Sequence, residues 1–170
     1  MKKLWLLLAS ALVLIAPWVF VFFTVPVKHL EWGCKSDYEI NSISGGANFR
    51  VSGQVSTFYH ADGTGVARFA GTLSQELPAQ SAVRTSLYRA TEFDYSVLGA
   101  FVRVTTNKAT TLMGDNTTDD LAIKYGYKGF KPGYIEYFQI IQVGGGAVAA
   151  GFSDMPRIYC QSIDKARASD

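Results

Sequence analysis

The sequence has few of the residue types on which catalytic and metal sites are built. Its 170 residues include two His and two Cys. Zinc sites need about four ligands, and the two His do not stand at ligand spacing, so we expect no metal. A Ser-His-Asp nucleophile needs a His buried beside an activated Ser, and no G-x-S-x-G motif occurs. We therefore expect no catalytic residues, no cofactor and no enzymatic activity.

The chain also lacks an excess of charge of one sign outside its first residues. From residue 28 onward, seven Lys and seven Arg balance fourteen Asp and Glu, and the formal charge of +2 comes from Lys2 and Lys3. A nucleic-acid-binding domain would carry a strong positive excess, so direct binding of nucleic acid is not expected. The apolar content of 48% is too high for a disordered chain.

One long apolar run is present, because residues 4–27 contain no charged side chain. At about 1.5 Å per residue, a helix of this length reaches roughly 36 Å and can cross a hydrocarbon core of about 30 Å. No second run approaches this length, which excludes a multi-span membrane protein. Lys2 and Lys3 precede the run, so the positive-inside rule places residues 1–3 in the cytoplasm and residues 28–170 outside.

Two alternatives to a membrane anchor remain open. A cleaved signal peptide has an apolar region of about 7–15 residues that ends in a small-x-small site, whereas the triplet Ala9-Ser10-Ala11 lies inside the run. A lipoprotein would use Cys34, but charged residues separate this cysteine from the apolar stretch. We therefore favour an uncleaved, single-pass signal-anchor at residues 4–27, followed by a juxtamembrane segment at residues 28–37.

Cys34 and Cys160 bracket almost the whole exported region. Two cysteines in an exported domain, one near each end, predict one disulfide. This bond would tie the last strand to the point where the chain leaves the membrane. The alternative interpretation is a pair of buried, unpaired thiols.

Residues 38–163 predict an all-β domain, since they are rich in Val, Ile, Thr, Tyr and Phe and contain six Leu. In residues 48–59, apolar Phe49, Val51 and Val55 alternate with polar side chains. The Asp62-Gly63 pair follows and predicts a hairpin with the next strand.

The complete pattern predicts about eight mostly antiparallel strands in a meander that closes as a barrel or packs as a sandwich. The candidate strands are residues 38–44, 48–59, 65–77, 81–91, 100–112, 120–128, 133–143 and 156–163. Residues 93–98 fit either a short helix or an irregular link, and residues 164–170 form a polar tail.

Several features could mark a binding site, and each also has a purely structural interpretation. Residues 115–120 offer oxygen ligands for calcium, but the EF-hand pattern is absent and a polar turn is favoured. Asn116-Thr117-Thr118 matches the glycosylation pattern, which is common by chance. The glycines at residues 63–65 and 144–146 lack the spacing of a phosphate-binding loop.

The two histidines and the aromatic residues have similarly ordinary interpretations. His29 lies at the expected membrane surface without an evident partner, and His60 lies in the predicted hairpin turn. Six aromatic residues could line a cavity for an apolar molecule, although packing in the core is favoured. They are Phe49, Tyr59, Phe69, Phe101, Tyr137 and Phe138.

The sequence resembles the FidL-like membrane proteins of enteric bacteria over nearly its full length. The resemblance is carried by the Lys-rich start, the anchor, Cys34, VSGQV at residues 51–55, DGTG at 62–65, FAG at 69–71 and PRIYC at 156–160. It implies a small accessory protein of the bacterial inner membrane, with its β domain in the periplasm. The layout is also similar to ToxS and PsaF, periplasmic partners of membrane-anchored winged-helix transcription regulators.

The resemblance leads to two functional hypotheses. The first is an interaction protein that binds and tunes the periplasmic domain of a membrane-bound winged-helix transcription regulator, or binds another inner-membrane protein, by strand pairing or groove contact. The second is a β-barrel module that binds a small bile-like amphiphile, since the joint barrel of a related pair accepts bile salts. No binding residue is carried over from the family.

Overall fold

This computed structural model describes residues 5, 10, 13–19, 30–78, 81–143, 147–152 and 155–163. Residues 13–19 are helical. Within the described part of the chain, no helix is both long and apolar enough to cross a membrane. Most of the predicted anchor at residues 4–27, together with residues 1–3 and the tail at residues 164–170, lies outside the described residues.

Within the described residues, the domain is all-β and contains eight antiparallel strands, as the sequence predicts. The strands are β1 (Trp32–Ser44), β2 (Ala47–Tyr59), β3 (Thr64–Glu76), β4 (Val83–Leu98), β5 (Phe101–Thr111), β6 (Ile135–Gln142), β7 (Val148–Phe152) and β8 (Met155–Ile163). Each strand pairs with the next along the chain, and β8 pairs with β1, so the meander closes as a barrel and not as a sandwich. β1 begins at Trp32, inside the segment that we expect to be juxtamembrane.

The predicted hairpin at residues 48–77 is confirmed as β2 and β3. Val51 lies opposite Leu73, and Tyr59 lies opposite Gly65. The odd-numbered side chains of both strands face the interior, where Val51 and Leu73 are fully buried. Period-two alternation of apolar and polar residues therefore fixes the register, because a one-residue slip would expose the whole apolar face.

Two cross-strand glycines make room for an aromatic side chain inside this hairpin. Gly53 lies directly opposite Gly71. A Cβ atom on Gly71 would lie 2.7 Å from the Cα of Gly53 and 3.0 Å from the Phe69 ring. The Phe69 ring therefore occupies the space that a side chain at position 53 or 71 would fill.

One predicted strand is wrong, and another is missing from the prediction. Residues 120–128 do not form a strand: they belong to helical turns at Asp119–Leu121, Ala122–Gly126 and Lys128–Phe130. Their apolar residues alternate, but Ala122, Tyr125 and Phe130 are the buried ones, at a helical spacing. The strand that is missing from the prediction is β7, a short segment rich in Ala and Gly with little strand propensity of its own. Residues 93–98 continue β4 instead of breaking it.

The helical turns form a plug (residues 119–130) in one end of the barrel. Tyr125 of the plug stacks on Phe49, with ring centroids 3.6 Å apart, and Phe130 packs edge-on against Phe69. We call this the plug end. At the opposite end, the exit end, lie Leu30 and the turns at residues 60–63 and 99–100. A second core cluster there contains Tyr59, Phe93, Tyr95, Val102 and Val104.

Candidate functional site

The closure of the barrel between β1 and β8 is short and leaves one side of β1 unpaired. β1 pairs with β2 from Trp32 to Ser44, whereas its pairing with β8 stops at Lys35, opposite Gln161. Among the residues that the structure describes, no strand pairs with this side of β1 at residues 36–44. These residues form the β1 edge, a row of backbone groups to which another extended chain can add.

A cavity of about 400 Å³ lies where β1 and β8 diverge. Its lining is mostly polar and carries charges of both signs: Lys35, Ser36, Asp37, Gln54, Arg157, Tyr159 and Gln161. The Gln54 amide donates a hydrogen bond to Asp37 Oδ1 at 3.3 Å. This β1–β8 cleft therefore places fixed polar groups beside the unpaired backbone of the β1 edge.

The predicted disulfide between Cys34 and Cys160 is confirmed, and it lies beside the short closure. Both cysteines are buried, and their Cα atoms are 5.2 Å apart across 126 residues of sequence. The paired residues of β1 and β8 extend only from Gly33 to Lys35. The covalent bond therefore reinforces a closure to which few backbone hydrogen bonds contribute, and it fixes the place where the strands part.

A carboxylate lies on the interior side of the barrel wall behind the cleft. The Tyr127 hydroxyl donates a hydrogen bond to Glu136 Oε2 at 2.6 Å. Arg157 Nη1, which also lines the cleft, lies 3.5 Å from Glu136 Oε1. Glu136 thus connects the plug, through Tyr127, with the strand that forms the far wall of the cleft.

The tyrosines near Glu136 stay protonated over the physiological pH range. Burial, and then the charge of Glu136, raise the pKa of Tyr38 to about 12, against a smaller lowering by Arg157. Burial and Glu136 also raise the pKa of Tyr127. The Tyr38 hydroxyl donates a hydrogen bond to the Gly126 carbonyl at 2.9 Å. These phenols therefore act as hydrogen-bond donors that tie β1 and β6 to the plug.

Residues 115–120, the candidate calcium loop, instead surround a buried arginine. Asp115 Oδ2 lies 2.8 Å from Arg89 Nε, and both side chains are almost completely buried. The same oxygen accepts a hydrogen bond from the Tyr88 N–H. Arg89 also donates to the Thr117 carbonyl and to the carboxylate of Asp119. Burial alone would lower the pKa of Arg89, but its hydrogen bonds to Asp119 and Asp115 outweigh this effect and raise it.

The other candidate residues have structural surroundings. His60 is exposed in the turn between β2 and β3, and His29 lies outside the described residues. The Asn116 side-chain oxygen accepts a hydrogen bond from the Ser86 N–H at 2.6 Å. Residues 144–146 are not described, and Gly63 belongs to the hairpin turn, where its φ is +87°. Within the described residues, no group of three or more His, Cys, Asp or Glu could hold a metal ion.

The aromatic residues proposed as a cavity lining divide between the core and the surface. Phe49 stacks on Tyr125, and Phe69 contacts Tyr38 and Phe130. Tyr59 contacts the rings of Trp32, Phe93 and Tyr95. Phe138 packs against the core cluster at the exit end, whereas Phe101 and Tyr137 are exposed on the outer surface. The interior aromatic rings therefore fill space against one another.

The β1 edge, Glu136 and Arg89 are not among the site residues that the sequence predicts. A signal for Arg89 was present, because Leu87, Arg89 and Phe93 share the interior face of β4. A charge at a position of this alternation, between Leu87 and Thr91, predicts a buried charge that is paired. The β1 edge has no comparable signal, since it depends on where β8 ends its pairing.

No protein-family model matches this sequence, and no curated protein matches it.

Proposed function

We propose that this chain is a non-enzymatic accessory protein of the bacterial inner membrane. Residues 4–27 anchor it, with the N-terminus in the cytoplasm and residues 28–170 in the periplasm. There it binds and tunes the periplasmic domain of a membrane-bound winged-helix transcription regulator. The observation that carries this proposal is the β1 edge, where residues 36–44 have no strand partner on one side among the described residues.

Strand addition is the mode of binding that the edge favours. Backbone hydrogen bonds to an added strand supply affinity, and contacts with alternate side chains supply specificity. Lys35, Asp37 and Arg157 of the β1–β8 cleft lie beside the edge and can select the charges of a partner. The plug already fills the core behind β1 through the Phe49–Tyr125 stack. The accessory protein can therefore fold before it meets the partner.

Two further observations support the proposed location. The disulfide between Cys34 and Cys160 is typical of an oxidising compartment such as the periplasm. The uncharged run at residues 4–27 would confine the barrel and a membrane-bound partner to the same surface. Confinement raises the effective concentration, so a partner of modest affinity would still be bound.

A photo-crosslinker placed on the edge of the full chain in native membranes tests the proposal. We choose Asn41, which is exposed on the β1 edge, and Thr72, which is exposed on β3 between two paired strands. We expect an adduct from position 41 and none from position 72. Mass spectrometry of the adduct should identify a protein with a membrane span and a cytoplasmic DNA-binding domain.

A lysine substituted on the β1 edge tests whether the adduct depends on strand pairing, and the same substitution on β3 is its control. Lysine on an open strand edge opposes pairing, so Ile43→Lys should abolish the adduct formed at position 41. Thr72→Lys, which adds the same charge to a strand with two neighbours, should leave the adduct unchanged. Adducts of equal yield from both crosslinker positions, or with proteins that have no DNA-binding domain, would refute the proposed partnership.

A second candidate function, the binding of a small amphiphile, is favoured by the β1–β8 cleft. Its volume of about 400 Å³ falls in the range of ligand pockets, about 300–1,000 Å³, and Lys35 and Arg157 could contact an anionic head group. Taurocholate should then raise the unfolding temperature of the full chain in nanodiscs, as linkage requires. A shift that persists in Lys35→Gln and Arg157→Gln, or no shift at saturation, would exclude the cleft as the site.

A further inference from the structure

The turn between β4 and β5 is apolar and exposed, whereas the turn between β2 and β3 at the same end of the barrel is polar. Residues 97–102 read VLGAFV. Leu98 is 52% exposed and Phe101 is 41% exposed, and they lie opposite each other across the turn. The turn between β2 and β3 instead contains His60 and Asp62. Gly99 and Ala100 form the turn itself, so the two large apolar side chains belong to the last pair of strand residues. Their joint exposure needs a separate explanation.

A third exposed apolar residue lies at the same end of the barrel. Val143, directly after β6, is 42% exposed. β6 pairs with β5 so that Gln139 lies opposite Phe101, and Val143 is four residues further toward the exit end. Together, Leu98, Phe101 and Val143 form what we call the exit-end tips.

The chain enters the barrel at this same end, at a fixed point. The backbone N–H of Leu30 donates a hydrogen bond to the Tyr95 hydroxyl at 2.9 Å. That hydroxyl lies 2.6 Å from the Leu30 carbonyl and 2.7 Å from the His60 carbonyl, either of which can accept its proton. Tyr95 thus holds Leu30, three residues after the apolar run, against the turn between β2 and β3.

Short chain lengths bring the exit-end tips close to a membrane that residues 4–27 would span. Residues 27 and 30 are three steps apart, which is at most about 11 Å. The headgroup region of each leaflet is about 5–8 Å thick. Leu98 lies three residues beyond Tyr95 on β4, about 10 Å further along the strand. The tip of this hairpin therefore extends beyond the level of Leu30.

We propose that the exit-end tips insert into the headgroup region of the membrane that holds the anchor. This inference rests on the proposed anchoring of residues 4–27. Large apolar side chains gain free energy by leaving water for this interface. Glu31 and Asp62 at the same end are acidic, so insertion does not depend on anionic lipids. A second contact beside the anchor would fix the tilt of the barrel and direct the β1 edge sideways, along the membrane surface.

The test uses an environment-sensitive fluorophore on the full chain in nanodiscs of phosphatidylcholine, with a spin-labelled lipid as quencher. The native cysteines form the disulfide, so an introduced cysteine can be labelled alone. Ala100→Cys places the fluorophore on the β4–β5 turn. Met113→Cys, which is exposed near the plug end, is the matched control. We expect blue-shifted emission and loss of fluorescence at position 100, and neither at position 113.

A further variant tests the role of the apolar side chains themselves. Leu98→Ser combined with Phe101→Ser should abolish quenching of the fluorophore at position 100, while an unchanged circular dichroism spectrum shows that the barrel is folded. Equal quenching at positions 100 and 113 would overturn the inference. So would shielding of position 100 from an aqueous quencher without quenching by lipid, because a protein would then cover the tips.

Membrane flotation of the same samples separates this inference from the proposed function. If the chain floats with lipid but position 100 remains unquenched, the tips do not insert although the anchor holds. If the chain does not float, the anchor and the insertion are both wrong. The crosslinking at Asn41 reports on the partner independently of either result.

Discussion

The two halves of the barrel are built differently. The long-strand half, β1 to β5, has strands of 13, 13, 13, 16 and 11 residues. The short-strand half, β6 to β8, has strands of 8, 5 and 9 residues. β2 and β3 pair from Asn48 to Tyr59, whereas β6 and β7 pair only from Gln139 to Gln142.

This difference separates the part that stabilises the barrel from the boundary at which the candidate sites lie. The long-strand half provides most buried side chains of the core cluster that the plug covers. The β1–β8 cleft and Glu136 lie where the long half meets the short half. Short ladders leave backbone and side chains available for partners, and the disulfide and the plug compensate for the missing pairing.

The largest effect is expected where the plug is fixed to the long-strand half. Asp115→Ala leaves the buried guanidinium of Arg89 without its buried partner and with Asp119 as its remaining carboxylate. Removal of one member of a buried ion pair costs about 3–5 kcal/mol. Asp119→Ala removes the exposed partner of the same arginine, so it should cost less than about 1 kcal/mol. Urea unfolding measures both. Equal losses of stability in the two variants would show that Arg89 depends on Asp115 no more than on Asp119.

Removal of the disulfide should destabilise the junction between the halves. Replacing Cys34 and Cys160 by Ala should cost about 2–4 kcal/mol, since the bond closes a long loop. Amide hydrogen exchange should accelerate first at Gly33 to Lys35, where β1 pairs with β8, and change least in β2 and β3. Reduction of the unmodified chain is the control. Uniform acceleration across all strands would show that the halves unfold as one unit.

Features of the long-strand half could be predicted because their causes are local. The alternation around Val51 and the Asp62-Gly63 turn specify the β2–β3 hairpin within one stretch of sequence. The disulfide could also be predicted, because the composition and the positions of two cysteines allow one pairing. The predicted and observed numbers of strands agree only because the incorrect strand at residues 120–128 offsets the missed β7.

The plug and the β1 edge could not be predicted because their causes are distant in sequence. Tyr125 is buried in a helical turn, where it stacks on Phe49 of β2. This contact joins two elements that are far apart in the sequence. The β1 edge opens because pairing with β8 stops at Lys35, which local propensity does not encode. The exit-end tips were visible in part, since VLGAFV lacks polar turn residues, but their position beside Leu30 depends on the barrel.

A smaller effect is expected from the long-strand half itself. Gly71→Val places a branched side chain against Gly53 and the Phe69 ring, and overpacking of this kind costs about 1–3 kcal/mol. Thr72→Val, at the next position on the exposed outer face, should change stability by less than about 0.5 kcal/mol. Thermal unfolding compares the two variants. If Gly71→Val is as stable as Thr72→Val, then the glycine pair is not needed to seat Phe69.

The smallest effect is a loss of stability in alkali that originates at the junction of the halves. Burial and Glu136 raise the pKa of Tyr38 to about 12, above its value of about 10 in an unfolded chain. The folded state therefore holds the phenolic proton more tightly. This contribution is complete below pH 10 and is lost as the pH rises from about 10 to about 12.

Tyr38→Phe should flatten the decline in unfolding temperature over this range, although the buried Tyr127 retains a share of it. At neutral pH the variant should lose about 0.5–1.5 kcal/mol, because the hydrogen bond to Gly126 is absent. Tyr137→Phe, at an exposed position on β6, is the matched control. A decline of equal steepness in both variants would mean that Tyr38 is not held protonated by its position between β1, the plug and Glu136.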